Sequence, residues 1–165
     1  MKKQRLFISF LALSLLFVSP VVSGQEKNDR QTQTDLALKQ VQSAADAFIK
    51  AFNNLDWEPF RNSFADDATL FFPSATMAAA RANGRTEIEA IFKTSFETTR
   101  KQKEGPPYLN IEPKDMRIRM SGDVAIVTFH LGGKDSLGRR TVIFEKQKGR
   151  WLIVHIHAST MALSK

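Results

Sequence analysis

The feature that most constrains the fold is a change of pattern at Gly105-Pro106-Pro107. Before it, apolar residues recur at the helical period; after it, they alternate in short runs separated by turn residues. From Leu36, the residues Val41, Ala44, Ala45, Phe48, Phe52 and Leu55 make one apolar stripe, which predicts a first helix. Asp56 is placed to cap a short second helix, with Pro59 in the first turn, where a missing N–H costs nothing. The stretch DDATLFFP predicts a β segment over residues 68–72, closed by Pro73, and residues 74–83 read as a loop. Thr86-Glu87-Ile88-Glu89 has capping-box spacing, and Ile88, Phe92 and Phe96 carry a third helix to about Arg100. Beyond the proline pair, strands are predicted at residues 108–111, 114–120, 124–131, 140–148 and 151–159. Helices followed by a run of strands define an α+β class. The expected architecture is a cone: a curved antiparallel sheet packed on three N-terminal helices, with an opening where a ligand would sit.

The N-terminus sets the compartment. Met1 to Arg5 is basic, residues 6–18 are apolar apart from Ser9 and Ser14, and Val22-Ser23-Gly24 resembles a signal-peptidase site before Gln25. Residues 1–24 therefore read as a signal peptide and the protein as exported, periplasmic or secreted. The apolar run is too short for a confident span, so no stable membrane insertion is expected after cleavage; the alternative is an uncleaved anchor. Residues 25–35 are polar and read as a flexible tether, and residues 36–165 as one domain. With no cysteine there is neither a lipid attachment after the leader nor a disulfide framework, so stability rests on a packed core.

Charge narrows the partners. Removing 24 leader residues from 165 leaves 141, in which 21 Lys and Arg face 17 acids, a net of +4. The basic residues are scattered, without the cluster that a nucleic-acid surface requires. There is no G-x-S-x-G elbow, and Gly132-Gly133 sits in a hairpin loop rather than before a helix, so no nucleophile or phosphate cradle is visible and no cofactor is expected.

Several motifs together resemble the SnoaL-like proteins of the nuclear-transport-factor-2-like superfamily. They are Phe64-Ala65-Asp66-Asp67-Ala68-Thr69 before an apolar pair and Pro73, Gly84-Arg85 opening a helix, and Gly149-Arg150-Trp151 leading into VHIHAS. The last strand is also similar to that of the calmodulin-dependent kinase association domain. The resemblance implies the cone fold over most of the chain, and a choice among isomerase, dehydratase or cyclase activity on an apolar substrate, small-ligand binding, and a purely structural association module. For the ketosteroid isomerases of this superfamily it implies a test. The general base would fall at Phe72, and the two oxyanion donors at Phe48 and Val142. None of these side chains moves or donates a proton, so that reaction is not expected.

Outside the leader there are ten Phe and one Tyr. The expected pocket comprises Phe48, Phe52, Trp57, Phe72, Met77, Phe92, Phe96, Phe129, Val142, Phe144, Val154 and Ile156. These residues either fill the cone as core or line a cavity.

His155-x-His157, with His130, invites a zinc reading. By strand parity Trp151, Ile153, His155 and His157 share one face, and Leu152, Val154, Ile156 and Ala158 the other. The resemblance turns the second set towards the cavity. It leaves His130, Ile153, His155 and His157 on an outer face that is the dimer surface in many relatives. A homodimer is expected and metal binding is not, because the strand order that the resemblance implies puts the penultimate strand between His130 and the pair. Asp66-Asp67 is either a carboxylate pair for acid–base work or a turn into the first strand. Arg85 either reaches a ligand at the cavity mouth or pairs with one of those aspartates.

Overall fold

The structure, a computed structural model, describes residues 22–73 and 81–163. The first helix, α1 (Val22–Asn54), is longer than its apolar stripe. Residues 25–35, expected to be a tether, are helical and exposed. No Gly or Pro interrupts residues 25–54, and pairs one turn apart support the polar end. Glu26 lies 3.6 Å from Arg30, and Gln31 donates to Asp35 at 3.0 Å. Burial begins at Val41. The helix ends where Leu55 takes a left-handed turn at φ +56°. There the Asp56 N–H reaches the Ala51 carbonyl (2.8 Å) and the Leu55 N–H that of Phe52 (3.1 Å), closing the carbonyl end of the helix. Leu55 tolerates this conformation because its side chain is buried in the core.

The short α2 (Trp57–Arg61) follows. Asp56 stands at its N-cap, but its carboxylate makes no cap bond and instead accepts from the Asn54 amide at 3.3 Å. In α3 (Arg85–Gln102) the helix is capped two residues before Thr86, and the expected Thr86–Glu89 capping box does not form. Gly84 is the cap residue, Glu87 accepts the Asn83 N–H at 2.8 Å, and Glu89 is engaged elsewhere.

Among the described residues, six strands form one sheet in the order β2-β1-β6-β5-β4-β3. They are β1 (Phe64–Phe71), β2 (Arg81–Asn83), β3 (Pro113–Ser121), β4 (Val124–Gly132), β5 (Ser136–Gln147) and β6 (Arg150–Ala162). All neighbours are antiparallel except β1 and β6, which run parallel, so the sheet is mixed rather than wholly antiparallel. The strand expected at 108–111 is not one. Asn53 takes the place of a strand partner: its carbonyl accepts the Tyr108 and Leu109 N–H groups (2.9 and 3.0 Å), and its amide bonds both polar groups of Ile111 (2.7 and 3.0 Å). The segment is thereby tied to the end of α1 without a sheet ladder.

The helices cover the concave face, and the core is aromatic where they converge. Phe60 is fully buried, with ring centroids 4.9 Å from Phe92 and Phe96, 5.2 Å from Phe64 and 5.5 Å from Phe52. This cluster closes the narrow end of the cone.

Candidate functional site: a phenylalanine-lined cavity

Strand period two and the sheet register decide which side chains face inward. On β4 these are Ala125, Val127, Phe129 and Leu131; on β5 they are Gly138, Arg140, Val142 and Phe144. Cross-strand partners build tiers: Ala125, Phe144 and Ile153, then Val127, Val142 and Ile156, then Phe129, Arg140 and Ala158. The first tier packs solidly. Around the other two, a cavity of about 160 Å³ lies between the sheet, α1 and α3. The cone is thus neither wholly filled nor wholly hollow.

Of the expected pocket residues, Phe48, Phe52, Phe72, Phe92, Phe129, Val142 and Ile156 line this cavity. Trp57, Phe96 and Phe144 do not. Trp57 and Phe96 pack edge-to-face at 6.1 Å in the closed end, and Phe144 is buried within the first, solidly packed tier. Met77 lies outside the described residues. The positions aligned with a ketosteroid isomerase's base and oxyanion donors, Phe72, Phe48 and Val142, do converge on one cavity, but as phenyl and alkyl groups.

Val154 is a correction with a definite cause. Ile143 pairs with His155 while Phe144 pairs with Ile153, so Val154 has no partner of its own and forms a β-bulge. The bulge reverses strand parity. Trp151 and Ile153 point inward before it, and Ile156 and Ala158 point inward after it. Ile153 is therefore fully buried rather than on an outer dimer face, and Val154 does not line the cavity.

His155 and His157 keep their outward position. Nδ1 of His155 lies 2.7 Å from the Thr69 hydroxyl, and the Phe71 ring lies 5.7 and 5.6 Å from the two imidazoles. Burial, then the neighbouring His157, pushes the His155 pKa down from its ordinary value. His130 pairs with Arg139, which pairs in turn with Ser159, so β5 separates it from the pair; its ring lies 3.6 Å from Asp115. Among the described residues no group of three His, Asp or Glu is placed to hold a metal ion.

Asp66 and Asp67 are exposed at the start of β1. Arg85 pairs with Asp66 at 2.6 Å, the structural alternative of the two expected for it. It also lies 3.5 Å from Glu89, whose carboxylate takes Arg61 at 3.0 Å. This chain of charges ties α2, α3 and β1 together outside the cavity.

Sequence reasoning missed Arg140. Among the described residues it is the only ionisable one lining the cavity; it is half-buried, and its Nη1 donates to the carbonyls of Arg139 (2.9 Å) and Ser159 (3.0 Å). The signal was present: Arg140, Val142 and Phe144 stand at i, i+2 and i+4 on one strand, so the parity that turns the last two inward also turns the arginine inward.

A curved, unclosed sheet over three helices, with an apolar hollow at its wide end, defines a cone-fold protein. Residues 41–164 match the SnoaL-like domain, and the chain belongs to that family. Solved structures agree on the fold. An NTF2-like protein of unknown function from Pseudomonas putida KT2440 is 21% identical with a TM-score of 0.63, covering 76% of this chain and 87% of its own. A candidate dehydratase of the NTF2-like family from Streptomyces avermitilis is 22% identical with a TM-score of 0.63, covering 78% and 98%. The CaMKII hub of S. rosetta is 25% identical with a TM-score of 0.57, covering 74% and 95%. A comparison with curated proteins returned no match.

Proposed function

We propose that this protein is an exported binding module that holds a small, largely apolar ligand in the cone and pairs with a second copy through the outer face of its sheet. The observation that carries the proposal is the cavity. Apart from Arg140 it is lined by Phe, Leu, Ile, Val, Pro and Ala side chains, with no carboxylate, imidazole, hydroxyl or thiol among the described lining residues. Such a lining supplies burial rather than acid–base chemistry. An apolar cavity of roughly 150 Å³ accepts a molecule the size of benzene.

Export is supported by the leader-like residues 1–24. Pairing is supported by the outer face, where Phe71, Val124, Ile126 and Met161 are exposed around the two histidines, and by the hub among the structural neighbours.

The test is thermal unfolding and native mass spectrometry with benzene and small neutral aromatics. A rise in Tm that Val142→Phe abolishes, by filling the middle tier, supports the reading. No rise with any probe, on protein shown to be ligand-free, overturns it.

A further inference from the structure

We propose that Arg140 makes the cavity a site for a carboxylate: a small acid whose aromatic ring or short alkyl chain fills the hollow while its anionic head meets the guanidinium. This rests on the reading of the cavity as a ligand site.

Arg30, Arg61 and Arg85 each pair with a carboxylate, whereas Arg140 has no acidic partner among the described residues. Residues 1–21, 74–80 and 164–165 contain no Asp or Glu, so those segments offer no acidic side chain either. A half-buried cation in the wall of a hollow of phenyl and alkyl groups loses hydration without gaining a counter-charge. Burial accordingly pushes its pKa down.

The second observation is how the guanidinium is held. Nη1 spends its two hydrogens on the Arg139 and Ser159 carbonyls. Nε and Nη2 have no partner among the described residues. Together they form one edge of the planar fork, the edge that takes both oxygens of a carboxylate. Fixing Nη1 on two main-chain carbonyls orients that edge in advance, so little side-chain freedom remains to be lost on binding.

Third, the strand makes room for this pose. A Cβ at Gly138 would stand 3.3 Å from Arg140 Nη1 and 3.2 Å from the Leu131 Cβ. A bare glycine two residues before Arg140 lets the guanidinium lie along β5. The cavity's size then limits the body of the acid to about one aromatic ring or a short chain.

Calorimetric titration of the purified protein with benzoate and hexanoate, against benzamide and hexanamide, tests the proposal. The acids are expected to bind about 10- to 100-fold tighter than the amides. Arg140→Met is expected to remove that preference by weakening the acids far more than the amides. Equal affinities in the unaltered protein, or undiminished acid binding by R140M, would overturn the carboxylate assignment while leaving the cavity reading intact. Failure of acids, amides and benzene alike would overturn both. Should R140M not fold, the Nε–H resonance of Arg140 in the unaltered protein decides. It is expected to move with benzoate and not with benzamide, and a resonance indifferent to both refutes the assignment.

Discussion

The imidazole of His155 is joined to the hydroxyl of Thr69 across the one parallel pair of the sheet, β1 against β6, at 2.7 Å. Around it stand His157, Phe71 and, on β5, Ile143. The ring is held where an added charge is poorly solvated and meets a second histidine, which is why its pKa is lowered.

The sign of the pH effect follows. The folded protein binds this proton less tightly than the unfolded chain, whose histidine titrates near about 6.5. Stability is therefore complete above that value and is lost as the pH falls through it towards the lower folded pKa. Unfolding followed between about pH 7.5 and pH 5 should show this slope, and His155→Gln should flatten it relative to the unaltered protein. An unchanged slope in H155Q would refute the assignment.

The outer face gives a second prediction. Ile126 is exposed and its cross-strand partner is Ile143, which in turn pairs with His155. Ile126→Lys should leave monomer stability within about 0.5 kcal/mol, as surface substitutions usually do. It should shift sedimentation from dimer to monomer. A monomeric unaltered protein at micromolar concentration would refute pairing through this face.

The aromatic closure of the cone should be the least tolerant region. Phe60→Ala removes a fully buried ring from contact with at least four others, at a cost of about 3–5 kcal/mol. Phe71→Ala, on the outer face, should cost far less. Chemical denaturation of the two variants side by side measures the contrast, and equal losses would contradict the placement of the core.

Gly84 precedes α3 at φ +82°, ψ 152°, a conformation nearly reserved for glycine. Its N–H reaches the Ala68 carbonyl at 2.8 Å, fixing the entry of the helix against β1. Gly84→Ala should destabilise by about 1–3 kcal/mol even though the nearest neighbour of the new Cβ, the Asp66 carbonyl, is 3.5 Å away. A neutral result would show that the backbone relaxes at no cost.

Much of this architecture could be read from residue order, and the failures have physical causes. The stripe from Val41 to Leu55 located the buried part of α1, because a 3.6-residue period survives any tertiary context. It could not show where the helix begins, since an exposed helix and a polar tether share the same composition at residues 25–35. Alternation placed β3 to β6 to within a few residues at most ends, but β5 begins at Ser136, four residues earlier than expected. The errors at Ile153 and Val154 share one origin: a bulge has no signature in a run such as Leu-Ile-Val-His-Ile, where either parity is apolar. Residues 108–111 read as a strand because β-prone residues look alike whether sheet neighbours or the Asn53 amide satisfy their backbone. Arg140 was overlooked although its parity was available, because an arginine is ordinarily assigned to the outside.

The bulge at Val154 also divides the labour of β6. Before it, Trp151 and Ile153 answer to the helices, with the Trp151 indole N–H reaching Gln40 of α1 at 3.3 Å. After it, His155 and His157 turn to the outer face, where they meet Thr69 and Phe71 of β1. One continuous ribbon of backbone thus carries two independent sets of obligations. Change at the outward positions of its far half, His155 and His157, can re-dress the exterior of the molecule while Ile156 and Ala158 keep their places inside.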